Sequence, residues 1–139
     1  MTDLTVNAGA VALAKGSDVG QVKFTGPAAE TITAGQYCRV DATTGQTTPG
    51  NASSAGEAAL GGIALNGGGA GVTVTIVHQG LVDLGKDVLT ALNFGASVFL
   101  SDTDGKLADG AGTVSKVVGV VVPGWGNTTA DRLLYVQGA

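Results

Sequence analysis

The feature that most constrains this chain is an internal repeat at a shift of sixty residues. VKFTGPAAETITAGQYCRVDATTGQ, at 22–46, aligns without a gap with VDLGKDVLTALNFGASVFLSDTDGK, at 82–106. Few residues are identical, but glycine falls on glycine, as at Gly35 and Gly95, and apolar residues fall on apolar ones. Self-similarity of this kind indicates one supersecondary unit that is present twice.

The match continues beyond this stretch, slightly out of step. GGIAL at 61–65 aligns with VGVVV at 118–122, and TIVHQG at 75–80 aligns with LLYVQG at 133–138. Differences in loop length absorb the change of offset. The repeat therefore spans almost the whole chain after its first residues.

This repeat predicts the domain organisation. We expect an N-terminal arm of residues 1–18 and a single β domain of residues 19–139. The domain consists of two repeats, at about 19–80 and 81–138. A chain of 139 residues buries enough surface to fold as one domain without disulfides or metals.

Each repeat has the pattern of short strands joined by glycine turns. The chain has 24 glycines and only 13% charged residues, so strong helix formers are scarce. YCRVD and SVFLS end in the polar turns DATTGQ and SDTDGK, which predict hairpin tips. We predict an all-β fold, a small antiparallel β-barrel or sandwich built from two duplicated β units with an N-terminal extended arm. TTGQTTPGNASSAG, at 43–56, has no periodicity, and we expect an exposed loop there.

The charge balance argues against nucleic acid as a partner. Seven Lys and Arg against eleven Asp and Glu leave a net charge of −4, and phosphate binding needs a clustered basic patch. No apolar run approaches the length of a membrane span, so we expect no membrane partner. The first residues do not read as a signal peptide, and the single Cys38 cannot form an internal disulfide. We therefore expect synthesis in a reducing cytosol.

Asp102 and Asp104 are the first candidates for chemistry, because they lie beside a turn glycine. In a calcium loop of EF-hand type, Leu100 would fill the first ligand position and Ala111 the last, and neither can bind the ion. An acid pair for glycoside hydrolysis needs carboxylates facing across a cleft, whereas these share a hairpin tip. We predict no metal site and interpret both aspartates as solvating a turn, with a looser cation site as the alternative.

Other motifs also fail as enzyme signatures. GLVDLGKD at 80–87 has the spacing of a phosphate loop, but Asp87 stands where the magnesium-binding hydroxyl belongs. His78 aligns with Val136 of the other repeat, which favours a packing role. Cys38 also aligns with a valine and is interpreted as a small core residue. We predict no catalytic residue, no cofactor and no enzymatic activity.

Two segments are candidates for partner contacts. Trp125, the only tryptophan, lies in PGWGN, where glycines offer it little local surface, and such aromatic residues are favoured interface anchors. The N-terminal arm has strand character but no place in the repeat, so it can pair with the sheet edge of another chain. The alternatives are that Trp125 folds back over its own barrel and that the arm completes its own sheet.

GASVFLSDTDGKL, after NF and before a strand of the VVGVVV kind, resembles the capsid cement, or head decoration, proteins of tailed bacteriophages. ITAGQYCRVDATTGQ followed by LGGIAL resembles the same pattern in the first repeat, so the resemblance covers roughly residues 20–138. It implies a catalytically inert β protein on the outer surface of an icosahedral head, made in the host bacterial cytoplasm. It also implies a homotrimer that bridges major capsid protein subunits and stabilises the virion.

In related decoration proteins an N-terminal arm contacts the capsid. Together with Trp125, this resemblance assigns partner binding here to Thr2, Asp3, Leu4, Thr5 and Val6. No chemical residue of the family can be transferred, because its motif is structural. The low charge and the mean hydropathy of +0.32 agree with apolar surface that other subunits cover.

The alternative function is a phage tail or fibre β module that binds host-surface carbohydrate. Sugar-binding surfaces usually present exposed aromatic side chains. The aromatic residues that we expect to be available for this role are Trp125, Tyr37 and Tyr135.

Overall fold

The computed structural model describes residues 2–13, 21–85, 88–124 and 132–138. Within these ranges the protein has ten β-strands and one 3-10 turn, at Ala8–Ala10. The strands are β1 (Ala12–Leu13), β2 (Val22–Pro27), β3 (Tyr37–Val40), β4 (Thr47–Pro49), β5 (Gly61–Ala64), β6 (Thr73–Asp83), β7 (Ser97–Leu100), β8 (Leu107–Ala108), β9 (Val117–Pro123) and β10 (Arg132–Gln137).

All strand pairings are antiparallel, and they join the ten strands into one sheet. The strand order is β4-β3-β5-β6-β10-β9-β7-β8, with β1 and β2 also paired to β6. The sheet curls into a half-barrel, which confirms the predicted all-β fold. The long strand β6 is its centre, because β6 pairs with strands of both halves of the chain.

The strand registers repeat with the offsets found in the sequence. Directly opposed residues in the first half have their counterparts opposed in the second half. The matched pairs are Tyr37↔Ile63 with Ser97↔Val120, Cys38↔Gly62 with Val98↔Gly119, Arg39↔Thr48 with Phe99↔Ala108, and Ile63↔Val77 with Val120↔Tyr135. The internal repeat is therefore a repeat of hydrogen-bonded geometry as well as of residue type.

The aligned glycines have the same backbone conformation in both halves. Gly35 and Gly95 have φ values of 90° and 83°, and Gly45 and Gly105 have φ values of 73° and 72°. These values lie in the left-handed region, which side chains other than glycine occupy at a cost. The glycines thus set the paired turns before β3 and β7 and after them.

Two clusters of buried apolar side chains form the core of the protein. The larger one includes Leu4, Tyr37, Leu84, Leu100 and Leu134, and the smaller one is built around Ile32, Cys38, Ala64, Val74 and Ile76. The smaller cluster belongs to the first half of the chain. The larger one draws on both halves and on the N-terminal segment, so the two halves share a core.

Strand β6 crosses the predicted boundary between the repeats. It runs without interruption through Gly80 and Leu81, and its first half pairs with β5 while its second half pairs with β10. Because β6 pairs with strands of both halves, the junction between the two repeats lies inside a strand and is not a linker. Residues 14–20 are not among the described ones, so the division into arm and domain stays a prediction.

The prediction of an exposed loop at 43–56 is wrong for the middle of this stretch, residues 47–52. Thr47, Thr48 and Pro49 form strand β4, are buried and pair with β3, and Ala52 is fully buried. The stretch lacks a period of two because β4 is only three residues long. Its pairing comes from its place opposite β3, where β8 lies in the other repeat.

Candidate partner-binding surfaces

The N-terminal segment lies along β8 of its own chain. The Leu4 amide donates to the Leu107 carbonyl oxygen at 2.8 Å, and the Asp109 amide donates to the Thr2 carbonyl oxygen at 3.0 Å. Asp3 stands directly opposite Ala108 in an antiparallel bridge. Residues 2–4 therefore extend the edge of the sheet through one isolated β-bridge.

Side-chain contacts also hold this segment. The buried Ser101 hydroxyl donates to the Asp3 carboxylate at 2.5 Å, and the Thr2 amide donates to the Asp109 carboxylate at 2.8 Å. Leu4 is only 9% exposed and belongs to the larger core cluster. Of the predicted contact residues, Thr2, Asp3 and Thr5 remain exposed, while Leu4 and Val6 face the chain's own core.

Val6 is seated against the turn before β3. A side chain at Gly35 would overlap Val6, and Val11 lies beside the same glycine. Gly35 therefore makes room for the N-terminal segment as well as allowing the turn. Partner binding by residues 2–6 stays a prediction, and Trp125, the other predicted contact, lies outside the described residues.

The aspartates at the β7–β8 hairpin brace neighbouring loops. The Asp102 carboxylate accepts from the Thr113 amide and from the Thr113 hydroxyl, both at 2.8 Å. Asp104 accepts from the Asn51 side-chain amide at 3.2 Å, a contact between the two repeats. The interpretation of these residues as merely solvating a turn is thus incomplete. Asp102 bonds to a residue 11 positions away and Asp104 to one 53 positions away, and local spacing does not reveal these partners.

Backbone contacts strengthen the same connection between the repeats. The Gly105 amide donates to the Gly50 carbonyl oxygen at 2.7 Å, and the Tyr37 amide donates to the Gly105 carbonyl oxygen at 3.0 Å. The Ala52 amide donates to the Ser101 carbonyl oxygen at 2.8 Å. The β7–β8 hairpin is consequently part of the scaffold that joins the two repeats.

A polar cleft of about 320 Å³ lies beside this connection. Its charged side chains are Glu30, Arg39, Glu57 and Asp104. The Arg39 Nε atom lies 3.4 Å from a Glu57 carboxylate oxygen, and Asp104 bonds to Asn51. Arg39 and Glu57 are thus paired with each other, and Asn51 engages Asp104. Among the described residues, no group of three or more His, Cys, Asp or Glu side chains is placed to hold a metal ion.

Cys38 and His78 have packing environments. Cys38 is fully buried, and burial raises the pKa of its thiol to about 12, with the carboxylates of Asp104 and Glu30 acting in the same direction. The His78 Nδ1 atom lies 2.8 Å from the Gly61 carbonyl oxygen, and the imidazole ring packs against Phe24 with centroids 5.0 Å apart. Both side chains occupy the positions that a packing role predicts.

An apolar hollow of about 240 Å³ opens at one end of the smaller core cluster. Phe24, Val40 and Leu60 contribute its larger apolar side chains, and the small residues Gly26 and Gly45 leave space between them. Leu60 is 51% exposed, so part of the apolar lining is accessible to solvent.

Sequence reasoning missed this hollow. Leu60 precedes the strand GGIAL and aligns with Val117, and both are exposed in the structure, but the sequence does not show this exposure. Tyr37 was expected as an available aromatic, and this expectation is wrong. The ring is fully buried, and its hydroxyl donates to the Ala59 carbonyl oxygen at 2.7 Å. Burial raises the pKa of the Tyr37 phenol well above its usual value of 10.0.

Within the described part of the chain, no helix is long and apolar enough to span a membrane. No protein-family model, curated protein or solved structure matches the chain.

Proposed function

We propose that this protein is a virion structural protein that binds the outer surface of an icosahedral phage head. In this role it bridges major capsid protein subunits and stabilises the shell against internal pressure. The proposal starts from the resemblance of GASVFLSDTDGKL and its counterpart in the first repeat to phage cement proteins. The protein would act as a homotrimer, with no chemistry of its own.

The observation that carries the proposal is the contrast between engaged polar groups and exposed apolar ones. Asp102 and Asp3 form hydrogen bonds inside the chain, and Arg39 forms an ion pair there. The exposed large hydrophobic residues include Val22, Leu60, Val72, Phe94 and Val117. Of these, Leu60 lies with the partly buried Phe24 and Val40 in one apolar hollow, and a contiguous apolar site of this kind supports a role in binding other proteins.

The apolar hollow is a concave part of this surface. Interface energy concentrates in a few apolar or aromatic side chains that fit pockets, and Leu60 beside Phe24 and Val40 offers such a place. A modest affinity per contact suffices, because one oligomer binds several capsid subunits at once and repeats over the shell. The carbohydrate alternative receives less support, since Tyr37 is buried.

The test uses heads purified from a phage mutant that lacks this gene. Purified protein is added, free protein is removed by sedimentation, and heads are imaged and heated with and without the protein. We expect bound protein at saturable sites and a higher temperature of DNA release. Heads that show no added protein and release DNA at an unchanged temperature, even at saturating protein, would refute the capsid role. Binding of the protein to a glycan array instead would favour the tail-module alternative.

A matched pair of variants identifies the contact. Leu60→Ser should weaken head binding by roughly 30-fold, because truncating a buried interface anchor costs about 2 kcal/mol. Val117→Ser changes the aligned exposed residue of the other repeat, which does not line the hollow, and should leave binding within about threefold. Equal losses in both variants would contradict the assignment of the hollow. Light scattering should give three times the chain mass of 13.5 kDa for the free oligomer.

A further inference from the structure

The apolar hollow of the first repeat has a counterpart in the second repeat. At the offset of sixty residues, Phe24 aligns with Leu84 and Val40 aligns with Leu100. Phe24 and Val40 are only partly buried, whereas Leu84 and Leu100 are 1% and 0% exposed. Equivalent positions of the two related units therefore differ in how completely they are covered.

The N-terminal segment completes the core at this place in the second repeat. Leu4 belongs to the same buried cluster as both leucines, and Val6 packs against that cluster. The Leu4 amide donates to the Leu107 carbonyl oxygen at 2.8 Å. Leu107 pairs with β7 as Thr47, in the wall of the hollow, pairs with β3. The chain's own segment thus occupies a place in the second repeat whose counterpart in the first is the open hollow.

Strand β2 has a correspondingly open edge beside the hollow. Val82, the counterpart of Val22 in β2, pairs with β10 on one side and with Leu13 of β1 on the other. Within the described ranges, β2 pairs with β6, and its other edge makes one bridge, from Ala28 to Thr47, just beyond the strand. The second repeat therefore carries a paired strand at a position where the described part of the first repeat has none.

The backbone of β2 presents hydrogen-bonding groups along this outer edge. The Ala28 amide donates to the carbonyl oxygen of Val72, which directly precedes β6, whereas the Ala29 amide donates on the opposite side, towards β4. Successive residues of an antiparallel strand turn their amides to opposite edges, so the Thr25 amide points away from β6. Pro27 lies on the same side and has no amide hydrogen, which is typical of an edge strand.

We propose that an extended segment of a major capsid protein subunit adds to the outer edge of β2 and places an aliphatic side chain in the hollow. This inference rests on the proposed function and supplies the chemistry of the partner at that contact. Strand addition gains affinity from backbone hydrogen bonds and selectivity from a pocket for a side chain. The segment takes in the first repeat the place that β1 and Leu4 take in the second.

The lining and the fold both favour this occupant. The described residues around the hollow carry no charged side chain, and Phe24, Val40 and Leu60 are its larger apolar groups, so an aliphatic side chain fits and a charged one does not. The chain's own N-terminal segment is already seated on the second repeat, so it is not the segment that adds to β2.

The test compares two variants of Thr25 in binding to heads that lack the protein. Both variants lose the Thr25 hydroxyl, which lies 3.4 Å from the Thr75 hydroxyl, but only Thr25→Pro also loses the amide hydrogen. Thr25→Pro should bind heads about tenfold more weakly than Thr25→Val, because the added segment keeps a carbonyl oxygen without its donor. Equal affinities of the two variants would overturn the strand addition.

A measurement on the unchanged protein protects this test against a folding defect in Thr25→Pro. Hydrogen exchange of the free and the head-bound protein is read by mass spectrometry with fragmentation that resolves single residues. The Thr25 amide should exchange at least about tenfold more slowly on heads, whereas the Phe24 amide, which faces β6, should change little. A Thr25 amide that exchanges equally fast in both states would contradict the proposal.

Crosslinking identifies the source of the segment. Thr25→Cys in a Cys38→Val background receives a photoreactive maleimide, is bound to heads and is irradiated. We expect crosslinks to one continuous stretch of the major capsid protein, and the same label at Thr103, which does not line the hollow, should not reach that stretch. Crosslinks from Thr25→Cys to another copy of this chain instead would overturn the assignment of the partner. Protein that binds heads without these effects refutes only this inference, whereas protein that does not bind heads refutes the proposed function as well.

Discussion

Replacing Gly62 by alanine tests how closely the strands of the first repeat approach one another. A Cβ atom at Gly62 would overlap the carbonyl oxygen of Val77 in β6, and one at Gly61 would overlap that of Cys38 in β3. Strand β5 is thus confined on both sides by backbone. The aligned Gly119 in β9 shows the same restriction against the carbonyl oxygen of Tyr135.

The expected cost follows from this confinement. Forcing an extra methyl group into a packed site costs about 1–3 kcal/mol, and the upper end applies where the neighbour is backbone in a sheet. Alanine also restricts the unfolded chain, which offsets about 0.5–1 kcal/mol. We therefore expect Gly62→Ala to lower the free energy of unfolding by about 2 kcal/mol and the Tm by roughly 6 °C. Gly119→Ala should have a similar effect.

Two control glycines separate the possible causes. Gly69 has no atom within 4 Å of an added Cβ and no positive φ, so Gly69→Ala should be neutral or slightly stabilising. Gly45 also has free space but a φ of 73°, so Gly45→Ala should cost about 1 kcal/mol through backbone strain alone. Urea unfolding followed by circular dichroism measures all four variants. If Gly62→Ala were as stable as Gly69→Ala, the argument from close strand approach would fail.

Three further predictions concern polar and titrating groups. Asp102→Ala removes both hydrogen bonds to Thr113 and should lower the free energy of unfolding in urea by about 1–2 kcal/mol. Asp104→Ala should lower it by less than about 0.5 kcal/mol. The reverse order of the two variants would contradict the assigned bracing role. Backbone amides hold the pKa of the Asp41 carboxyl below its usual value of 3.8. The Asp41 carboxylate therefore stabilises the fold above about pH 4, and this contribution is lost as the pH falls through the pKa of the folded state. An NMR titration midpoint for Asp41 at or above 3.8 would disprove the lowered pKa. With a thiol pKa of about 12, roughly one Cys38 in ten thousand is ionised at pH 8. A thiol reagent should therefore label the protein only when it unfolds. Rapid labelling of the folded protein would count against the buried position of Cys38.

The repeat made much of the architecture predictable. Strands β3, β5, β7 and β9 lie where short apolar runs predicted them, because alternation and β-branched residues act through local backbone preference. The turn glycines were predictable for the same reason, since φ is a property of one residue. Strand β4 was missed because three residues are too few to show a period, and its pairing with β3 is a tertiary contact.

The candidate surfaces were less predictable than the fold. The sequence identified residues 2–6 as a segment outside the repeat, but the burial of Leu4 and Val6 depends on β8 and Gly35, which are far away along the chain. In the same way, an exposed Leu60 and a buried Tyr37 cannot be distinguished from local pattern. Exposure depends on how the sheet curls and on which segment covers each end.

By itself, the sequence determined the class of fold, the two related halves and the positions of the turns, because strand period and glycine conformation are encoded within a few neighbouring residues. Only the tertiary structure decided that β6 serves both halves, that Asp102 and Asp104 brace distant loops, and that the N-terminal segment fills the gap between β6 and β8. These contacts join residues that are between 11 and 107 positions apart. The curl of the sheet brings them together, and no local pattern records that curvature.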